Sequence, residues 1–128
     1  MEKEFVTYEQ ALALKELGFD EKCLTYYYNE ILVFTPIPSL NTNSFWVGRD
    51  NDFITAPLKQ QAFRWFREKY DIHGEVFVDD NKTFIYLISR FVEQGRLQSP
   101  MKGNFNTYEE AENTCIDKLI EITKQQDK

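Results

Sequence analysis

The chain has 128 residues, of which 42% are hydrophobic and 16% aromatic, and it carries a formal net charge of -6. A chain of this length can bury a hydrophobic core without disulfides or metal, and its many aromatic side chains argue against disorder. The acidic balance disfavours binding to nucleic acid and to anionic membranes, because both are negatively charged. These properties favour one folded domain whose partner is neither nucleic acid nor an anionic membrane.

The cysteines and the first residues indicate a soluble protein of the cytoplasm. Cys23 and Cys115 lie far apart, with neither the paired spacing of a zinc site nor a disulfide framework. Residues 1–4 are charged with no apolar segment behind them, and no stretch approaches the roughly 20 apolar residues of a membrane span. We therefore expect no cofactor, no bound metal and no membrane contact.

A repeated capping signal predicts the first and last helices. Thr7 with Gln10 forms a capping-box pattern before a helix that Gly18 should end in a left-handed conformation. The Thr-Tyr-Glu sequence recurs at Thr107, where Glu110 completes the same pattern before a helix of about residues 108–123. Residues 1–5 and 125–128 are expected to fray.

Two hairpins and a central helix are predicted between these ends. Residues 24–35 have strand composition with a turn at Asn29-Glu30, and residues 75–92 form a second hairpin that turns at residues 79–82. A helix is expected from about residue 56 to residue 70, with Thr55 as its cap and Pro57 in its first turn. Residues 37–55 and 93–106 should be loops, the first containing a short apolar stretch at 45–47.

The predicted order is helix, hairpin, helix, hairpin, helix. No βαβ crossover pattern demands a parallel sheet, so the order favours an α+β fold. We expect one domain over residues 1–128, in which helices cover one face of an antiparallel sheet.

The sequence contains one weak catalytic candidate. His73 is the sole histidine and lies near Asp71 and Glu68, and a histidine with a carboxylate can act as a general base. A histidine at a helix C-terminus also interacts favourably with the helix dipole, and this structural interpretation is preferred.

The cysteines and the acidic clusters favour structural interpretations. Neither cysteine has a partner base nearby in sequence, so both thiols are expected to be structural. The acidic groups at residues 50–52 and 79–81 lack the pattern of a calcium loop, and ordinary turns explain them.

The central helix is locally basic and carries Trp65. Basic residues among aromatic ones are typical of nucleic-acid surfaces. The aromatic residues here fall on the arc predicted to be buried, so a solvated face is preferred. The basic residues are Lys59, Arg64, Arg67 and Lys69.

Aromatic side chains supply the candidate binding site. Along a strand, Tyr26 and Tyr28 share one face while Tyr27 takes the other, so one tyrosine face is accessible unless a helix or a second subunit covers it. Exposed tyrosine and tryptophan favour protein contacts. The predicted contact residues are Tyr27, Phe45, Trp46 and Arg49.

Five segments of the chain, at residues 5–9, 18–21, 56–57, 65–70 and 108–111, resemble a group of small acidic proteins encoded by Bacteroidetes and by their phages. The resemblance extends over nearly the whole chain. It implies no activity and transfers no site residue, because the group has no known activity. It does imply a phage or mobile-element accessory protein acting in the host cytoplasm.

These observations rank three hypotheses about function. The leading one is a non-enzymatic accessory protein that binds a host or phage protein. The alternative is a binder of a nucleotide-type ligand, stacked on Trp46 or Tyr27, with its phosphates held by a cation. In this hypothesis the side chains that could hold the phosphates are those of Arg49, Lys59 and Arg64. An enzyme that uses His73 is weaker still, and homodimerisation is compatible with the sequence.

Overall fold

The computed structural model describes residues 2–34, 53–92, 95–98 and 102–126. Within these ranges lie a 3₁₀ helix at Glu2–Glu4 and the helices α1 (Tyr8–Glu16), α2 (Lys59–Tyr70) and α3 (Tyr108–Gln126). The strands are β1 (Thr25–Tyr28), β2 (Ile31–Phe34), β3 (Phe53–Ala56), β4 (Ile72–Val78), β5 (Phe84–Val92), β6 (Gly95–Gln98) and β7 (Lys102–Phe105). All strand pairs are antiparallel. The predicted α+β class is confirmed.

The chain divides into two compact units, Met1–Lys59 and Gln60–Lys128, and each unit has its own sheet. The first unit contains a three-stranded sheet with the order β2-β1-β3. The second contains a four-stranded sheet with the order β4-β5-β6, in which β7 also pairs with β5. The antiparallel strands are thus divided between two sheets, where the sequence analysis expected one.

Helix α1 has the ends that its sequence predicts. The Thr7 hydroxyl accepts from the Gln10 N–H at 3.1 Å, and the Gln10 side chain accepts from the Thr7 N–H at 2.9 Å. Gly18 has a φ of 97°, and the Phe19 N–H donates to the Leu14 carbonyl at 2.9 Å. This is the pattern of a Schellman motif, which satisfies carbonyls that the last helical turn would leave free.

The turn between β1 and β2 is the predicted one. Asn29 and Glu30 have φ values of 49° and 69°, which are the left-handed conformations of a type I′ turn. Tyr28 and Ile31 face each other across the two turn residues, so they form the hydrogen-bonded pair that closes the hairpin.

The start of the chain is ordered from residue 2, where fraying to residue 5 was expected. Phe5 is only 3% exposed and forms an isolated antiparallel bridge with Leu58. The Val6 N–H donates to the Pro57 carbonyl at 3.1 Å. A buried phenylalanine and two backbone contacts distant in sequence hold this segment, and local composition does not reveal them. At the other end, the predicted fraying overlaps the last turn of α3, which continues to Gln126.

The central helix begins later than predicted. Thr55 and Ala56 belong to β3, where they pair with Tyr26 and Thr25 of β1, so Thr55 is a strand residue. Cross-strand pairing overrides the capping pattern, and α2 starts at Lys59. The predicted loop 37–55 is therefore a strand from residue 53, and its remainder, including the apolar stretch 45–47, lies outside the described residues.

The second hairpin also begins earlier than predicted. Asp71, with a φ of 57°, ends α2, and its N–H donates to the Arg67 carbonyl at 3.2 Å. Strand β4 begins directly afterwards at Ile72. His73 consequently lies in a strand, and the expectation of a helix C-terminus was wrong.

Residues 93–106, expected to form a loop, contain β6 and β7. The nine-residue strand β5 is long enough to pair with both of them along one edge. Its residues 89–92 pair with β6, whereas Phe84 and Tyr86 pair with β7 across an irregularity in register. Gly95 and Gly103, whose residue type favours a loop, belong to these strands because the strands pair with β5.

Gly74 is the point where the second sheet meets its helices most closely. A Cβ at this position would lie 2.9 Å from Cys115 Sγ, 3.0 Å from Leu119 Cδ1 and 3.1 Å from Phe63 Cε1. Phe63 belongs to α2, and the other two residues belong to α3. Both helices therefore pack on the same side of β4, where only a glycine leaves room for their side chains.

Helix α3 buries a wider stripe than its periodicity predicts, which places on one face the residues Tyr108, Ala111, Cys115, Leu119 and Ile122. Ala111, Cys115 and Leu119 are fully buried as expected, whereas Tyr108 is 38% exposed and Ile122 is half-buried. The stripe also includes Glu112, Ile116, Ile120 and Thr123. The second capping box is only half formed, because the Glu110 side chain accepts from the Asn106 N–H and not from that of Thr107.

Candidate functional site

One face of the three-stranded sheet carries a group of apolar side chains. Tyr26 and Tyr28 point to the same face of β1, because side chains alternate along a strand. The register places Val33 and Ile31 beside them on β2, and it places Phe53 opposite Tyr28 on β3. We call this group of five residues the tyrosine face.

The tyrosine face packs within itself but remains open to solvent at the hairpin end. The Tyr28 and Phe53 ring centroids lie 4.7 Å apart, and those of Tyr26 and Phe53 lie 6.2 Å apart. Tyr28 is nevertheless 43% exposed, and its neighbour across the strands, Ile31, is 66% exposed. Large apolar side chains grouped on a surface mark interaction sites more often than isolated ones do.

Tyr27 occupies the opposite face and is held by the first unit itself. Its hydroxyl donates to the Val6 carbonyl at 2.7 Å, and its ring lies edge-on to that of Tyr8 at 5.6 Å. On the same face, the Phe34 ring packs edge-on against Phe5 at 5.5 Å between centroids. This face is therefore the one that joins the hairpin to the start of the chain.

The predicted contact residues separate into two groups. Phe45, Trp46 and Arg49 lie outside the described residues, so their part in a contact site stays a prediction. Tyr27 lies among its intramolecular partners, and the more exposed tyrosine of β1 is Tyr28. The alternation of side chains already separated the two tyrosines, but only the position of α1 and the chain start decides which face is covered.

The segment of the chain that contains the hairpin is acidic. Residues 2–34 contain seven acidic side chains and three lysines, which gives a net charge of -4. Glu30, in the turn next to Tyr28 and Ile31, is exposed. An apolar group with acidic surroundings matches a partner that is apolar and basic.

The two cations of the ligand-binding alternative that the structure describes differ in exposure. Lys59, proposed to hold phosphate, is only 2% exposed, whereas Arg64 is exposed. The stacking and phosphate-binding residues Trp46 and Arg49 lie outside the described residues.

His73 does pair with a carboxylate, as its sequence neighbourhood predicts. Its Nε2 atom lies 3.5 Å from Asp71 Oδ1, and both side chains are partly exposed, by 33% and 63%. Ser89 faces His73 on the neighbouring strand but is only 3% exposed. This serine is therefore poorly placed to attack a substrate from solvent.

The thiols lie in the interior. Burial, with a smaller effect of the Glu112 carboxylate, raises the pKa of the Cys115 thiol to about 12. Cys115 is therefore protonated at neutral pH and is a poor nucleophile. Cys23 is 2% exposed, with its Sγ atom 3.5 Å from the Glu21 carbonyl oxygen. Both arrangements agree with the structural interpretation of the cysteines.

The acidic cluster at residues 79–81 organises a turn. Asp79 Oδ1 accepts from the Asn81 N–H at 2.9 Å, and both carboxylate oxygens accept from the Thr83 hydroxyl. Desolvation raises the pKa of Asp79, but hydrogen bonds from Thr83 and Asn81 outweigh it, so the net effect is a lowered pKa. Over the described residues, no group of His, Cys, Asp and Glu could hold a metal ion. Residues 50–52 are not among them.

Three aromatic residues of α2 pack in the interior of the protein. Phe63, Trp65 and Phe66 are buried, as predicted. The Lys69 ammonium lies 5.1 Å from the Trp65 ring centroid and 5.7 Å from that of Tyr70. Covered in this way, Trp65 is not available to stack on a nucleic-acid base.

Comparison of this chain with protein-family models, with curated proteins and with solved structures finds no match. In the part of the chain that the structure describes, no helix has the length and apolar character needed to span a bilayer.

Proposed function

We propose that this chain is a non-enzymatic protein that acts by binding another protein, and that the tyrosine face is its contact surface. The observation that carries the proposal is the joint exposure of Tyr28 and Ile31, which are neighbours at the open end of the hairpin. A rigid aromatic ring beside a branched aliphatic side chain supplies contact area at low entropic cost.

The energetics support a contact of moderate strength. Burying a large apolar side chain completely stabilises a complex by about 1.5–3 kcal/mol before the costs of association are subtracted. Tyr28 and Ile31 are partly exposed, so each still has area to bury. The proposed contact consequently needs further residues, and the predicted Phe45, Trp46 and Arg49 are candidates for that role.

The resemblance to small acidic proteins of Bacteroidetes and their phages supplies the setting of the proposal. In that setting the chain is a phage or mobile-element accessory protein, and its partner is a host or phage protein in the cytoplasm. The acidic charge of residues 2–34 favours a partner with a basic surface.

Two substitutions with matched exposure test the contact surface. Ile31→Lys places a charge on the tyrosine face, whereas Val78→Lys places the same charge in the second unit, at a residue that is 58% exposed. Each tagged variant is incubated with a Bacteroidetes cell extract, and the proteins captured are compared with those captured by the unsubstituted chain. We expect Ile31→Lys to lose a specific partner and Val78→Lys to keep it.

A thermal-shift series with nucleotides separates this proposal from ligand binding. A ligand that binds only the folded state raises the melting temperature by mass action. No shift is expected under the proposed function. A shift with one nucleotide, combined with identical captured proteins for both lysine variants, would replace protein binding with the ligand-binding alternative.

A further inference from the structure

Strand β2 lies at the edge of its sheet and directs half of its backbone groups outward. Tyr28 and Ile31 form the closing hydrogen-bonded pair of the hairpin, so hydrogen-bonded and non-hydrogen-bonded pairs alternate from there. The N–H groups of Ile31 and Val33 therefore point toward β1. Those of Leu32 and Phe34 point away from the sheet.

Apart from its short length of four residues, this edge lacks the side chains and bulges that usually protect an edge strand. Natural edges carry lysine, proline, inward charges or bulges that prevent another strand from pairing. Strand β2 consists of Ile31, Leu32, Val33 and Phe34, and it pairs with β1 in regular register. Among the described residues, β1 is its sole strand partner.

The outward backbone groups of β2 determine which backbone conformation a bound segment must have. Outward N–H and carbonyl groups at alternate residues are satisfied by an extended segment, which is how peptides add to exposed sheet edges. Neither face of β2 is fully covered, since Ile31 is 66% and Phe34 is 48% exposed. An added strand would bury apolar area on both sides of the sheet.

The local charge specifies the chemistry of that occupant. With a net charge of -4 over residues 2–34 and the exposed Glu30 at the end of β2, the edge attracts a segment that carries lysine or arginine. The same charge disfavours association of two copies of this chain through β2, because each copy brings a net charge of -4 over residues 2–34.

We propose that β2 accepts an extended, basic segment of the partner protein as a fourth strand of this sheet. The inference rests on the proposed function and states how the partner binds. The partner pairs its backbone with β2 and packs its apolar side chains beside Ile31. Its basic residues flank the paired segment and lie near Glu30.

A synthetic peptide provides the test. The probe has alternating valine and threonine between terminal lysines, and its control has the same sequence with N-methyl groups at alternate residues, which block backbone pairing. Binding to the full chain is followed by amide NMR at peptide concentrations up to about 1 mM, where weak peptide binding is measurable. Hydrogen exchange of the Leu32 and Phe34 amides is recorded with and without the peptide.

We expect both amides to exchange rapidly in the free chain and to slow by at least about tenfold with the unmethylated peptide. Leu32→Pro removes one outward N–H without removing a bond to β1, and it should weaken peptide binding about tenfold. Equal binding of both peptides, no binding by either, or amides already protected in the free chain would each overturn strand addition.

The failure of strand addition can be told apart from the failure of the proposed function. If Ile31→Lys loses the captured partner while Leu32→Pro retains it, the tyrosine face binds by side-chain packing alone, and only the strand inference is wrong. If neither substitution changes the captured proteins, the contact surface itself is wrong.

Discussion

The start of β4, in the second sheet, and the β1–β2 hairpin, in the first, differ in how closely their apolar side chains are covered. In the second unit, Phe63, Cys115 and Leu119 approach β4 so closely that only a glycine fits at residue 74. In the first unit, the β1–β2 hairpin leaves Tyr28, Ile31 and Phe34 between 43% and 66% exposed. The contrast is local to these two regions, since Val78 of β4 is 58% exposed and Ile54 of β3 is fully buried.

The contrast indicates which residues determine the stability of the fold and which are available to bind a partner. A surface at which side chains meet at contact distance cannot change without cost, because protein interiors are close-packed. A partly exposed hairpin tolerates substitution of its side chains and can bind a partner with them. We therefore expect substitutions in the second sheet to change stability, and those on the tyrosine face to change binding.

The largest expected effect comes from a pair of prolines in β2. Val33→Pro removes an N–H that bonds to β1, and it should lower the free energy of unfolding by about 3 kcal/mol. Leu32→Pro removes an outward N–H and should cost much less, because edge strands tolerate proline at such positions. Urea denaturation followed by circular dichroism measures both. Equal losses would contradict the alternation of hydrogen bonds on which strand addition depends.

Gly74→Ala is expected to lower the free energy of unfolding by about 2 kcal/mol, because overpacking a close contact forces neighbouring side chains to move. The added Cβ would lie 2.9 Å from Cys115 Sγ. In a Cys115→Ala background the cost should fall, though not to zero, since Leu119 and Phe63 remain within 3.1 Å. A double-mutant cycle by urea denaturation measures this coupling. Strictly additive effects would show that the two residues do not compete for the same space.

The stability of the chain should also fall in alkali through Cys115. Its pKa is raised from 9.0 to about 12 in the folded protein, so the thiol remains protonated when the unfolded chain has lost its proton. The resulting stabilisation is complete below pH 9 and is lost as the pH rises toward 12. Because loss of the thiol proton is coupled to unfolding, the free energy of unfolding should be about 1.4 kcal/mol lower at about pH 10 than at about pH 8.

Cys115→Ala separates this contribution from that of other groups that titrate in alkali. Burial also raises the pKa values of Tyr86 and Tyr108, which therefore destabilise the folded state only as the pH passes their ordinary value of 10.0. Burial is the first cause of both shifts, so most of these contributions remain in the variant, which lacks only the smaller effect of the Cys115 charge. If the unsubstituted chain and the variant lose the same free energy between the two pH values, the thiol does not carry the effect.

The smallest expected effect is a stabilisation of the hairpin turn. Glu30 has a φ of 69°, a conformation that disfavours residues with a Cβ. Glu30→Gly creates the preferred Asn-Gly pair of a type I′ turn and should raise the free energy of unfolding by about 0.5 kcal/mol. Glu30→Ala removes the charge but keeps the Cβ, so no gain is expected from it. A gain from both variants would assign the effect to the charge.

The sequence alone determined the features whose causes are local. The capping box at Thr7, the left-handed Gly18, the Asn29-Glu30 turn and the α+β class follow from interactions within a few residues or from the order of elements. These interactions need no distant partner, so they form wherever the surrounding structure does not compete with them, as β1 does at Thr55. Local signals therefore sufficed for them.

Only the tertiary structure decided the features that depend on distant partners. Thr55 became a strand residue because β1 pairs with it, and His73 entered a strand because α2 ends at Asp71. The candidate site shows the same limit. Alternation separates Tyr27 from Tyr28, but which of them faces solvent depends on Val6 and Tyr8, which cover one side of the sheet. The alternation of side chains along a strand shows which residues share a face. It does not show which face is buried, because burial depends on the assembled fold.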